Sequence, residues 1–261
     1  MHRGVPRFFI VRIFCFVLSV LGGGRVLIKW NDRTLEWFRS ASEYTSFHRK
    51  LAELLLPYIE IDGTLCDLGC GIGLIDFALC EKVQSITCVD IDPEAVRLCT
   101  GESVRRGIKN IEPLLSDAKD LTGTWDTVIS VFHGTTEALV DCYVRFARKK
   151  VVAVTHTEGV GNFGPREYKS PRCNTAITAA ELLGERGVEH TLINAALEYG
   201  QPFRKIDDAR EFVEAYSKNA PGEAIEDYLS ENLVETNNPE YPLYLPNMKN
   251  FGIFVIDGTA V

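Results

Sequence analysis

Two acids and three glycines carry the strongest chemical signal in the chain. Leu65-Cys66-Asp67-Leu68-Gly69-Cys70-Gly71-Ile72-Gly73-Leu74 reads as an apolar strand ending in an acid, then a glycine-spaced turn opening a helix. Glycines at such a turn let the backbone approach a ligand closely, and the helix start favours a negative group. A second apolar run, Thr87-Cys88-Val89-Asp90, also ends in an acid, placed to accept hydrogen bonds from two ribose hydroxyls. The dinucleotide pattern Gly-x-Gly-x-x-Gly fails, because the sixth position counted from Gly69 is Leu74. Asp67 before the loop would repel a pyrophosphate and suits a ligand bearing positive charge. Two histidines, His133 and His156, each follow an apolar run. Histidine titrates near neutral pH and serves as a base or a hydrogen-bond donor. The competing reading for each is a polar strand-end residue bonded to backbone.

The elements that position these residues follow from periodicity. Ala41–Leu56 reads as a helix, with Tyr44, Phe47, Leu51 and Leu54 recurring at helical spacing before Pro57. Strands are predicted at Thr64–Asp67, Ser85–Asp90, Ile111–Leu115, Thr127–Phe132 and Val151–Thr155. Helices are predicted at Gly73–Lys82, Pro93–Arg105, Thr135–Arg148 and Thr175–Arg186. Asp92-Pro93-Glu94 supplies an N-cap acid, a first-turn proline and a first-turn acid. This alternation gives an α/β, doubly wound, mostly parallel sheet with helices on both faces. After Gly187 come a strand at Val188–Ala196, helices at Ile206–Ser217 and Ala224–Leu233, a loop at Thr236–Asn247 and a last strand at Phe251–Asp257. The fold therefore carries an N-terminal helical segment and a helical insertion before the last strand.

The 261 residues include 28 Lys+Arg and 36 Asp+Glu, a net charge of −8, which argues against broad nucleic-acid binding. With 46% hydrophobic and 25% charged residues, the balance is that of a globular protein and excludes a multi-span membrane chain. The eight cysteines include no Cys-x-x-Cys pair, so buried thiols are expected, with no disulfide scaffold and no metal site. Phe8–Leu21 is apolar behind Arg3 and Arg7, but shorter than a membrane span. Residues 1–25 are read as an extension outside the fold, with translation starting near Val26. Membrane contact is not expected unless 8–21 is a true anchor. A cytoplasmic location is expected.

Asp67-x-Gly69-x-Gly71-x-Gly73, with Asp90 at the end of the next strand, resembles the first motifs of class I S-adenosylmethionine-dependent methyltransferases. The resemblance covers Tyr44 to Thr157 well and the remainder in outline. It implies a seven-stranded sheet whose last strand, Phe251–Asp257, is antiparallel. It implies one domain over 26–261, a cofactor half at about 60–157 and an acceptor side at about 158–261. S-adenosylmethionine would be the cofactor. Asp67 and the loop Gly69, Cys70, Gly71 and Gly73 would hold its methionyl end, and Asp90 its ribose. Ile91 would pack on adenine, and Asp117 would meet the exocyclic amine or simply cap a turn. Tyr44 could reach the methionyl carboxylate, although core packing is its default role. His133 and His156 would face the acceptor.

Phe132-His133-Gly134-Thr135 lacks the Asn/Asp-Pro-Pro-Tyr/Phe run of amino-methyltransferases, and no Pro-Cys nucleophile is present. This leaves a small-molecule or protein acceptor, and a small molecule is expected. The loop Val160–Arg166 could close over it with Arg166 and Arg172 binding a carboxylate, or be a flexible connection, and Tyr199 and Arg204 are further candidates. The rival readings are a non-catalytic S-adenosylmethionine-binding sensor or scaffold, and a nucleic-acid or protein methyltransferase.

Overall fold

The computed structural model describes residues 30–172 and 174–259. The expected extension at 1–25 lies outside the described residues. The described residues begin with two helices, α1 (Asp32–Thr45) and α2 (Phe47–Leu55), where the sequence predicts a single helix at Ala41–Leu56. Asn31 starts α1 through a capping box with Thr34, and Ser46 breaks it by adopting a left-handed φ of 55°. The break turns Phe47, Leu51 and Leu55 into the core.

Next come β1 (Thr64–Leu68), α3 (Leu74–Leu79), β2 (Ser85–Asp90), α4 (Pro93–Arg106), β3 (Ile111–Leu115) and β4 (Trp125–Val131). They are followed by α5 (Thr136–Asp141), β5 (Ala147–His156), α6 (Ala176–Glu185) and β6 (His190–Glu198). Helix α4 begins as predicted, with Asp92 accepting from the Glu94 N–H at 2.9 Å, and it ends on Gly107 at φ 67°. Helices α3 and α5 are shorter than predicted. Each gives way to a 3-10 turn, Cys80–Lys82 and Tyr143–Phe146 respectively.

The remaining elements are β7 (Gln201–Phe203), α7 (Ile206–Tyr216), α8 (Gly222–Asn232), β8 (Val234–Glu235), β9 (Leu243–Leu245) and β10 (Met248–Asp257). The main sheet has the order β3-β2-β1-β4-β5-β10-β6. The pairs β1–β2, β1–β4, β2–β3 and β4–β5 are parallel, whereas β10 runs antiparallel to β5 and β6. This is the expected seven-stranded, doubly wound sheet. The segment Thr236–Asn247, predicted as a loop, contains β9, which pairs with β7 and β8 in a small three-stranded sheet. Two- and three-residue strands carry too little alternation to be read from sequence.

The two faces of the main sheet bury separate cores. Leu65, Cys88, Ile129, Val154 and Phe251 pack under α2 and α3 on one face. Leu68, Val128, Val151 and Phe254 pack with Leu139 of α5 and Leu183 of α6 on the other. The insertion builds a third core, in which Trp37 of α1 meets Phe163, Phe203, Phe212 and Leu245. Among the described residues no helix is long and apolar enough to cross a membrane.

Candidate active site

Strands β1, β2, β4 and β5 end along one edge, and the site is built from the turns that follow them. The turn after β1 is fixed by its own backbone. Gly69, Gly71 and Gly73 take φ values of 79°, 56° and 80°, the left-handed region that side chains resist. The Gly69 and Cys70 N–H groups donate to the Val89 carbonyl at 2.8 and 3.1 Å. Asp90 then ties the two turns together: Oδ2 accepts from the Gly71 N–H at 2.8 Å and Oδ1 from the Asp92 N–H at 2.9 Å. Each oxygen keeps a second lone-pair direction for a ligand hydroxyl. Ile91, beside it, is 38% exposed, an apolar surface on the ligand side of the turn.

Asp117 follows β3 as predicted and acts as a cap: its Oδ1 accepts from the Lys119 N–H at 3.1 Å, and its Oδ2 lies 3.3 Å from the Lys119 ammonium. The Ser116 N–H donates to the Asp90 carbonyl at 3.0 Å, so this turn stands beside Asp90.

Asp67 lies beneath the loop, 1% exposed, with Oδ1 lacking a partner. It faces Asp76 of α3, which is fully buried with both oxygens unpartnered. Burial, and then the neighbouring Asp76, push the Asp67 carboxyl well above its usual range. Burial, and then Cys99 beside it, push Asp76 up to about 7. The thiols of Cys70 and Cys88 complete this nest, their sulfurs and an Asp76 oxygen lying within 4.8 Å of one another. Sequence spacing gives no metal motif, because these groups come from the loop, α3 and β2. As a set of buried acids and thiols they can share protons among themselves.

The ring of His133 lies against the loop: a Cβ on Gly69 would meet His133 Cγ at 2.0 Å. The histidine therefore adjoins the glycine loop. The Ser130 hydroxyl donates to the His133 carbonyl at 3.0 Å, and Gly134 at φ 74° lets the chain pass the Tyr143 hydroxyl. A small cavity here is lined by His133, Thr135, Thr136, Thr155 and Asn174. The buried Thr155 hydroxyl has no partner.

On the other face of the same strand ends, His156 stacks on Phe132 with centroids 4.6 Å apart. Phe132 holds a left-handed φ of 54°, uncommon for an aromatic residue. Burial, and then the charge of Lys249, lower the His156 ring to about 2, so it is neutral and a weak base at physiological pH. His156 Nδ1 is buried and unpartnered.

Tyr44 stacks on Tyr244 at 4.8 Å and meets Tyr241 edge-on at 6.1 Å, contacts that place it with the small sheet. Arg204 pairs with Glu36 and Glu240 and has little left for a ligand. Arg172 donates to the Val160 carbonyl at 2.7 Å and to Asn162 Oδ1 at 2.6 Å, bracing the glycine-bearing loop after β5. Arg166 is exposed. Trp30, which the sequence reading passed over, lies above the loop, 3.5 Å from where a Gly71 Cβ would stand. It packs edge-on against Phe38 of α1 at 5.3 Å.

Residues 65–156 match a family profile described as a methyltransferase domain. Residues 65–156 form a methyltransferase domain. A curated relative, an uncharacterized RNA methyltransferase, YwfF, of Lactococcus lactis subsp. lactis (strain IL1403), is 29% identical over 103 residues. That match takes in 36% of this chain and only 20% of the relative's own length. Among solved structures, a putative methyltransferase from Bacillus halodurans C-125 superposes with a TM-score of 0.50 at 14% identity. It covers 80% of this chain and 99% of its own. Magnesium protoporphyrin IX methyltransferase from Synechocystis PCC 6803, solved with bound S-adenosylmethionine, gives a TM-score of 0.46 at 15% identity over 97% and 99% of the two chains.

S-adenosylmethionine is the cofactor of this domain family, and the residues present fit it. The left-handed glycines bare the backbone of the turn, a Cβ at Gly71 meeting only the Trp30 ring at 3.5 Å, Asp90 keeps acceptor capacity for ligand hydroxyls, and the unpartnered Asp67 oxygen suits an ammonium donor.

Proposed function

We propose that the chain is an S-adenosylmethionine-dependent methyltransferase acting on a small-molecule acceptor. The observation that carries this reading is the glycine turn of the methyltransferase domain locked onto Asp90. When bound, the cofactor supplies an electrophilic methyl group on its sulfonium sulfur. The chain's own work is to orient the acceptor in line with that methyl and to exclude water. Asp90, Ile91 and the loop Gly69, Cys70, Gly71 and Gly73 hold the cofactor, with Asp67 beneath the loop and Asp117 on the adenine side. His133, in contact with the loop and the cavity, is the residue we assign to orienting the acceptor or taking its proton. His156, neutral and stacked, serves as a wall of the acceptor site.

A net charge of −8 supports a small molecule over a polyanion. The six free cysteines among the described residues suit the reducing cytoplasm, where we place the protein. The relative called an RNA methyltransferase favours RNA as the second reading. Methyl-labelled S-adenosylmethionine incubated with a small-metabolite pool and, separately, with bulk RNA tests both. Label entering the small-molecule fraction with release of S-adenosylhomocysteine is the expected result. Label entering RNA alone would replace the small molecule as acceptor, and label in neither fraction, with intact binding, would favour a sensor.

A further inference from the structure

The first strand turn of β10 carries a cation whose surroundings do not account for it. Lys249 enters the sheet two residues before Phe251, which sits opposite His156 in the β5–β10 register. Its ammonium lies 3.7 Å from the centroid of Phe132, 5.0 Å from Tyr199 and 5.3 Å from Phe47. Among the described residues it makes no ion pair and no hydrogen bond, although long-chain cations are rarely enclosed without one. Three ring faces supply cation–π attraction but no hydrogen-bond acceptor.

The other charged group nearby makes matters worse. Arg172 reaches the same neighbourhood and repels it, so burial and then Arg172 bring the Lys249 ammonium down to about 7. Among the described residues Arg172 also makes no ion pair; exposed Glu158 attracts it while accepting from Asn250 at 3.0 Å. Both cations act on His156, whose buried Nδ1 has no partner among the described residues, and His48 nearby is held neutral by burial. Two cations with no acid partner among the described residues, Lys249 and Arg172, thus converge at the ends of β4 and β5, where the proposed acceptor must lie, although Arg172 already donates to the Val160 carbonyl and to Asn162 Oδ1.

We propose that Lys249 and Arg172 form an oxyanion-binding end of the acceptor site, so that the acceptor is a small molecule bearing a carboxylate or an ionised hydroxyl. A negatively charged oxygen there would pair the ammonium, offset the repulsion between the cations and hold the rest of the acceptor toward His133. The assignment rests on the methyltransferase reading for the identity of the site, and not for the existence of the anion pocket.

The test uses three probes of like shape. 4-Nitrophenol, followed by absorbance just below its own ionisation pH, reports directly on stabilisation of the anion. Benzoate and benzamide are then used as competitors. Binding to the wild-type protein should move the nitrophenol spectrum toward the phenolate, with benzoate displacing it and neutral benzamide failing to do so. Lys249→Met and Arg172→Gln should each weaken binding by about tenfold or more, and Lys249→Arg should restore most of it.

Circular dichroism and S-adenosylmethionine titration of Lys249→Met control for folding, and both should match wild type. Competition by benzamide equal to that of benzoate, unchanged affinity in folded Lys249→Met, or no binding of either anion would overturn the proposal. Lys249-dependent anion binding in a protein that ignores S-adenosylmethionine would sink the methyltransferase reading alone. The reverse pattern would sink only the anion site.

Discussion

The two halves of the site edge gather ionisable groups of opposite kind, buried acids and thiols in one and half-buried basic side chains in the other. Beneath the glycine turn lie Asp67, Asp76 and the Cys70 and Cys88 thiols, and among the described residues no cation pairs with either acid. At the ends of β4 and β5 lie Lys249, His156 and His48 among aromatic rings, with Arg172 close by and no acid paired to them among the described residues. A protein stabilised only by its own contacts gains little from such segregation, since pairing the two sets would lower the desolvation cost of both. The separation makes sense if each half meets a ligand of complementary charge. The acid side would face the cationic amine and sulfonium end of the cofactor, and the basic side would face an anionic acceptor.

The comparison breaks most readily at Gly69. Gly69→Ala would place a methyl 2.0 Å from His133 Cγ on a backbone already at φ 79°. Left-handed strain of about 1–2 kcal/mol adds to that clash, so cofactor affinity should fall by about 10²-fold in calorimetry. Gly71→Ala meets only the Trp30 ring at 3.5 Å and should lose less. Adding His133→Ala to Gly69→Ala should recover part of the loss, because the two residues share one contact.

Next in size, Asp90→Ala removes acceptors from the Gly71 and Asp92 N–H groups as well as from the ribose. It should weaken S-adenosylmethionine binding by about 1–3 kcal/mol in calorimetry.

The pH dependence of unfolding sharpens the contrast further, because the two sides have opposite slopes. Asp76 binds its proton more tightly folded, near 7, than at its ordinary 3.8, so its contribution falls as pH rises across that window. Lys249 binds its proton less tightly folded, near 7, than at its ordinary 10.5, so its contribution rises with pH from about 7 upward. Asp76→Asn should therefore raise the thermal midpoint more at pH 8 than at pH 4. Lys249→Met should raise it more at pH 6 than at pH 10. Matching slopes for the two variants would remove the charge segregation. The smallest effect expected is from His156→Phe, which preserves the stack on Phe132 and deletes an unpartnered nitrogen. Its midpoint should change by less than the other two and move upward at pH 5, where an unfolded histidine is protonated.

Much of this edge was legible in the residues, and the reasons are local. β2 and β3 match their predicted bounds because each apolar run is closed by turn chemistry, and Asp92-Pro93 fixes the start of α4. The glycine turn and Asp90 are contiguous motifs, so their partnership could be read before it could be seen. The break at Ser46 was hidden because a serine, not a glycine, takes the left-handed conformation. The acid–thiol nest was invisible because its members come from separate elements. The same holds for Lys249, whose three aromatic neighbours lie on α2, at the end of β4 and just beyond β6. Tyr44 carried a plausible spacing, but α1 directs its ring to Tyr244.

The most direct test of the central claim, that the acid side of this edge is built for a cationic nucleoside cofactor, is calorimetric titration with S-adenosylmethionine alongside a nicotinamide dinucleotide. Binding of S-adenosylmethionine at micromolar-scale affinity, about −8 kcal/mol, with no heat from the dinucleotide, is the predicted result. Heat from the dinucleotide and none from S-adenosylmethionine would contradict the account.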